Sequence, residues 1–341
     1  MRRFLVAAIV TLAASLAQAA EPSGFVELLI QAPHQVAPIE GAVWYPSQAD
    51  GTITQFAENP VFQGVTVRKG ARVAPGRHPI VLLSHGLGGN FRTLSWLAVG
   101  LAQRGAVVVA VNHPGSTTKD LEMMRSMHHW TRVQDLQAAL ALLMTDPRFL
   151  SNLDPARIYA AGFSFGGWTA LSMAGLTGDA TAYASHCDAT GAKSTHCADL
   201  ARANFDLHSL NAESWNRSYK DRRIQAVAAI DPALHYGLNA VNVRDLVPNV
   251  LLIGLGTGAD RLLATNFSST GSNFAALVPA AKVVTIAPAS HFTALLACKT
   301  AGASILADEK DDPVCTDPVG TEREAVHGKI VDAIAQEFGL D

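Results

Sequence analysis

The run Ile158-Tyr159-Ala160-Ala161-Gly162-Phe163-Ser164-Phe165-Gly166-Gly167-Trp168 decides the fold. Its first four residues are apolar and read as the end of a strand. From Trp168 to Ala174 the residues are small or apolar and read as a helix. Between the two stands Gly-x-Ser-x-Gly. A strand that turns into a helix this tightly brings backbones too close for side chains, so glycine is needed two residues before and two after the serine. Such a turn holds the Ser164 hydroxyl out over the end of the sheet, where a base can reach it. An ordinary glycine- and serine-rich surface turn is the plainer alternative, and the flanking strand and helix argue against it. The rest of the chain must then supply a base, an acid and donors for a developing negative charge.

Outward from the turn, strands and helices alternate. Pro79–Ser84 is a buried-type strand that ends in His85-Gly86-Leu87-Gly88-Gly89-Asn90. A helix over 91–104 follows, with Leu94, Leu97 and Leu101 on one face, and Gly105 stops it. Residues 106–111 form a strand. Residues 130–144 form an amphipathic helix, with Val133, Leu136, Leu140 and Leu143 inward and Arg132, Gln134 and Asp135 outward. Beyond the serine, 223–230, 250–255 and 282–287 read as strands, 273–280 as a helix and 321–338 as a closing helix. Residues 308–312 are polar and read as part of a late loop. This rhythm predicts an α/β fold with a mostly parallel, doubly wound sheet. Phe25–Ile30, 41–46 and 61–68 read as an antiparallel edge that opens it. Residues 176–222 break the rhythm and read as an insertion over the functional end, a lid, or as a surface excursion without a role. With no linker dividing it, 20–341 reads as one domain.

The 341 residues are 49% hydrophobic, enough for a sizeable core, and only 16% charged, which argues against disorder. A net charge of −3 gives no sign of a nucleic-acid surface. Arg2-Arg3, the apolar run from Phe4 to Leu16 and Ala17-Gln18-Ala19 read as a signal peptide covering 1–19. A membrane anchor is the alternative, but the apolar run is shorter than the ~20 residues a span needs. The mature chain is expected to be secreted or periplasmic, with no membrane span. Export permits disulfides, and the four cysteines fall into two local pairs, Cys187 with Cys197 and Cys298 with Cys315. The repeated His186-Cys187 and His196-Cys197 also offer zinc-ligand types, at a spacing that matches no common zinc pattern.

In a parallel sheet the chemistry gathers just after the strands. His291 follows the last strand and lies C-terminal to Ser164, the expected place for a base. His327, His235, His186, His196 and His208 fit that slot less well. Two carboxylates compete for the acid. Asp231 comes directly off its strand before a proline, whereas Asp260 sits beyond a flexible Gly-Thr-Gly. An orienting carboxylate must be held tightly, which favours Asp231 with Asp260 as runner-up. The oxyanion donors are expected to be the Phe165 and Leu87 N–H groups. His85 is expected to pin the glycine loop, and His113 to have a structural role. His128-His129 are adjacent and point apart, which argues against a metal pair.

Ser84-His85-Gly86-Leu87-Gly88-Gly89, Phe91-Arg92-Thr93-Leu94 and the elbow sequence resemble platelet-activating-factor acetylhydrolases. They equally resemble the secreted bacterial "predicted dienelactone hydrolase" group. Ser290-His291-Phe292 and the cysteine-bearing stretch before the closing helix are similar to that bacterial group. The resemblance covers most of residues 40–338. It implies an α/β-hydrolase fold and hydrolysis of a small or lipid-like ester, with no metal and no cofactor. It also implies Asp231 as the acid and Leu87 and Phe165 as the oxyanion donors. Two departures stand out. The 176–222 insertion is longer than in those enzymes, and the nucleophile is serine where true dienelactone hydrolases carry cysteine.

Overall fold

A computed structural model describes residues 21–340. The expected signal peptide, 1–19, lies outside them. Ten strands form one sheet: β1 (Gly24–Ile30), β2 (Ile39–Tyr45), β3 (Thr52–Phe56), β4 (Val65–Lys69), β5 (His78–Ser84), β6 (Val107–Val111), β7 (Leu153–Phe163), β8 (Ile224–Ile230), β9 (Asn249–Leu255) and β10 (Lys282–Ile286). Their order is β10-β9-β8-β7-β5-β6-β2-β1-β4-β3. From β10 to β6 every pairing is parallel, and β2 pairs antiparallel with both β6 and β1. At the far edge β1 and β4 run parallel and β3 antiparallel to β4.

The parallel strands are near-continuous apolar runs because helices cover both of their faces. Alternation along β5 sends Ile80 and Leu82 to one face and Val81 and Leu83 to the other. The helices are α1 (Ser95–Gln103), α2 (Met123–Ser126), α3 (His129–Leu143), α4 (Phe165–Met173), α5 (Ala180–Thr190), α6 (Thr195–Arg202), α7 (Ala212–Asn216), α8 (Phe274–Leu277), α9 (Gly302–Glu309) and α10 (Arg323–Phe338). On one face Val133, Leu136 and Leu140 of α3 and Trp168 of α4 pack against Ile80, Leu82 and Val109. On the other, Leu97 and Leu101 of α1 and Ile330 and Ile334 of α10 cover Val81, Leu83 and Val108.

Several sequence expectations shift. The helix expected over 91–104 opens as a 3₁₀ turn, Phe91–Leu94, before α1. The helix expected over 273–280 is the single turn α8. The late polar stretch is in part helical, as α9. β3 is an exposed edge strand that the apolar pattern did not reveal. Within 176–222 the chain folds into α5, α6 and α7, and the Cys187 and Cys197 sulfurs stand at disulfide distance, which removes both from any zinc-ligand set. Cys298 and Cys315 form the second such pair. No helix among the described residues is long and apolar enough to cross a membrane.

Candidate active site

The turn from β7 into α4 carries Ser164 at φ 57° and ψ −120°, a conformation that side chains rarely adopt. It is over-determined by its neighbours. The Ser164 N–H donates to Ile230 O over 2.8 Å, and Ser164 O accepts from the Ala233 N–H over 3.1 Å. A Cβ at Gly162 would stand 2.1 Å from Gly166 O, and one at Gly166 would stand 2.0 Å from Ser84 O. Both glycines of the motif are therefore required by close backbone approach.

The hydroxyl so presented meets His291. Ser164 Oγ and His291 Nε2 are 3.1 Å apart, and His291 Nδ1 and Asp231 Oδ2 are 2.9 Å apart. An ionised carboxylate only accepts, so Nδ1 carries the proton and bare Nε2 accepts from the serine. Asp231 is fully buried, at φ 44°. Its Oδ1 accepts from the Leu255 N–H over 2.9 Å and stands 3.0 Å from Arg261 Nη1. Asp260 lies exposed in the 3₁₀ turn Gly258–Asp260 and makes no bond to His291. The His291 turn is itself anchored. Ser290 and Thr293 form a capping box, and Thr293 Oγ1 donates to Asp317 over 2.6 Å. Arg323 of α10 pairs with Asp317 at 2.9 Å. His327 of α10 donates to Thr293 O over 2.8 Å and stacks on Trp96.

The loop after β5 lies against the elbow: a Cβ at Gly86 would be 3.3 Å from Ser164 Cβ. The Leu87 N–H meets no backbone acceptor among the described residues. Phe165 is the first residue of α4, so its N–H has no partner within the helix. The geometry thus sets a serine hydroxyl, an imidazole with a fixed tautomer, a buried carboxylate and two free N–H groups at the ends of neighbouring parallel strands.

A model of the alpha/beta hydrolase family matches residues 80–299, which take in most of β5, the elbow, Asp231 and His291. The chain belongs to the alpha/beta hydrolase family. A search of curated proteins returned no match. Among solved structures this alpha/beta hydrolase is similar to the ferulic acid esterase from Streptomyces cinnamoneus, with a TM-score of 0.58 and 19% identity over 95% of this chain and 91% of that one. It is also similar to a dienelactone hydrolase-like promiscuous phosphotriesterase from metagenomic libraries, with a TM-score of 0.52 and 15% identity over 92% and 98% of the two chains. At these identities the likeness is one of fold.

The largest correction concerns the polar side chains of α3 in this hydrolase. Arg132 and Asp135 read as a solvent face, yet both are buried. Asp135 accepts from His34 (2.7 Å), Gln35 (2.9 Å) and His113 (2.9 Å). His113 in turn meets Ser84 Oγ through Nε2 at 2.9 Å. Burial pushes the Asp135 carboxyl upward, but the bonds from His113 and His34 outweigh it and hold it at about 2. Burial, with the Arg132 charge beside it, lowers His113 to about 4, so its ring is neutral at pH 7. His85 lies at the same place and pins the glycine loop through Gly86 O. Sequence reasoning missed Arg132, Asp135 and His34, and also Arg261, since their partners come from loops distant along the chain.

Proposed function

We propose that this alpha/beta hydrolase is an exported serine hydrolase of carboxylic esters. The observation that carries the reading is the unbroken chain of hydrogen bonds Ser164–His291–Asp231 beside two free N–H groups. Ser164 Oγ attacks the acyl carbon and gives its proton to His291 Nε2. Asp231 holds the imidazole orientation and offsets the charge on the imidazolium. The Leu87 and Phe165 N–H groups hold the oxyanion. His291 then returns the proton to the alkoxide leaving group as the tetrahedral intermediate collapses to an acyl-enzyme. Water, deprotonated by His291, attacks the acyl carbon. The second tetrahedral intermediate then expels Ser164 Oγ, which takes the proton back from His291 as the acid leaves.

The esterase names of neighbouring structures support this substrate class. The acetylhydrolase-like motifs favour a short acyl group. We further read 20–341 as one hydrolase domain, with 176–222 as its inserted cap. Initial rates on p-nitrophenyl esters from acetyl to palmitoyl test the assignment. Highest kcat/KM on acetyl to butyryl is expected. A preference for palmitoyl would replace the esterase reading with a lipase acting under a lid, and no turnover of any ester would end it.

A further inference from the structure

We infer that Arg132 is a positioning residue for the oxyanion hole. Its guanidinium ties the loop that carries the Leu87 N–H to the helix that begins with the Phe165 N–H. The inference rests on the ester-hydrolase reading above.

The loop side is fixed one peptide at a time. Leu87 N–H belongs to the same peptide unit as Gly86 O. That oxygen accepts from His85 Nδ1 over 2.7 Å and from the Gly89 N–H over 3.2 Å. These bonds fix the peptide plane and polarise the N–H at its other end. His85 holds its proton on Nδ1 because its Nε2 accepts from the His113 N–H over 3.2 Å. One peptide earlier, His85 O accepts from Arg132 Nη2.

The helix side is reached by the same guanidinium. Arg132 Nε donates to Thr169 Oγ1 over 3.0 Å, and that hydroxyl donates to Phe165 O over 3.0 Å. The guanidinium also lies 4.7 Å from the Phe165 ring centre. A third link runs from Nη1 to Ser116 Oγ at 2.6 Å, and Ser116 O accepts from the Gly88 N–H at 3.0 Å. Every acceptor of this buried cation, Ser84 Oγ at 3.3 Å from Nη2 included, is a neutral oxygen, and each lies on, or is bonded to, the end of β5 and its loop or α4. An apolar side chain could fill the space without burying a charge. What the guanidinium adds is a rigid planar fork that sets the spacing between loop and helix.

The test compares wild type with Arg132→Lys, Arg132→Met and Thr169→Val. It uses p-nitrophenyl acetate, with active sites counted by fluorophosphonate titration. Per titrated site, kcat is expected to fall roughly 100-fold in Arg132→Met, the scale of one lost oxyanion donor, and roughly 10-fold in the other two, with KM within about threefold. Affinity for a trifluoromethyl ketone, which binds as a tetrahedral oxyanion, should fall in proportion to kcat/KM. Full inhibitor affinity in the folded variants, or a change confined to KM, would overturn the role of Arg132. Should Arg132→Met fail to fold, Arg132→Lys and Thr169→Val decide the matter. Absence of ester turnover and of labelling in the wild type would instead overturn the hydrolase reading, and this inference with it.

Discussion

Arg261 Nη1 stands 3.0 Å behind the Asp231 carboxylate, on Oδ1, while Oδ2 faces His291. The carboxylate is therefore gripped from both sides in a buried place. Arg261 is held in turn by Thr265 O at 3.1 Å and by the Phe267 ring. Asp231→Asn keeps the shape but offers His291 the wrong hydrogen-bond partner, so kcat should fall about 10⁴-fold. Asp260→Asn changes an exposed residue and should leave the barrier within about 0.5 kcal/mol. Steady-state kinetics of the two variants checks both. Arg261→Met strips a buried carboxylate of its charged partner and should cost about 3 kcal/mol of stability by denaturant titration.

Two glycines of opposite meaning test the backbone argument. Alanine at Gly166 would drive a Cβ into Ser84 O at 2.0 Å. The elbow cannot close around that contact, so Gly166→Ala should yield no fluorophosphonate-reactive protein. Gly328 lies within α10 with nothing within 4 Å of a built Cβ. Gly328→Ala should add about 0.8 kcal/mol and raise Tm by roughly 2 °C, measured by calorimetry.

Stability should fall on mild acidification. Burial lowers His113, His129, His235 and His327 to about 4 from the ordinary 6.5. Between these values the unfolded chain binds protons that the folded chain refuses, so stability rises with pH in that window. It is fully present above 6.5 and is lost as pH falls toward 4. At full effect one such histidine accounts for about 3 kcal/mol. Melting curves from pH 4 to 8 should show this slope. His129→Gln keeps a donor for Trp215 O, which His129 Nε2 reaches at 3.0 Å, without titrating there. It should therefore flatten the slope. An unchanged slope would place the effect elsewhere.

The bridge Cys298–Cys315 closes a loop of 17 residues just beyond His291. Replacing both cysteines with alanine should lower stability by about 3 kcal/mol, read from the urea midpoint. The His291 turn is also held by Thr293, Asp317 and Arg323 through bonds that do not pass through sulfur. The folded variant should therefore retain turnover on p-nitrophenyl acetate.

What could be read from the residues follows from how locally each feature is determined. β5, β6 and β9 are legible because strands buried on both faces are unbroken apolar runs. The elbow is legible because Gly162 answers a contact with Gly166, four residues away, although Gly166 itself meets Ser84 O from the neighbouring strand. β3 is hidden because an exposed edge strand such as Thr52-Ile53-Thr54-Gln55-Phe56 has no buried face to mark it. Arg132 and Asp135 read as a solvated helix face because charge usually means exposure. Their burial depends on His34, His85, Ser116 and Thr169, which only the folded topology brings together. Asp231 and Asp260 both follow strands, and the difference between them lies in the Leu255 N–H and Arg261 that surround one and not the other.

The proposed mechanism stands on Ser164 as an activated nucleophile. Its most direct test is to incubate the folded protein with a fluorophosphonate probe and map the adduct by peptide mass spectrometry. One adduct per chain on Ser164 is expected, lost in Ser164→Ala and slowed by orders of magnitude in His291→Ala. A folded wild-type protein that takes no label at Ser164, or labels equally without His291, would rule this mechanism out.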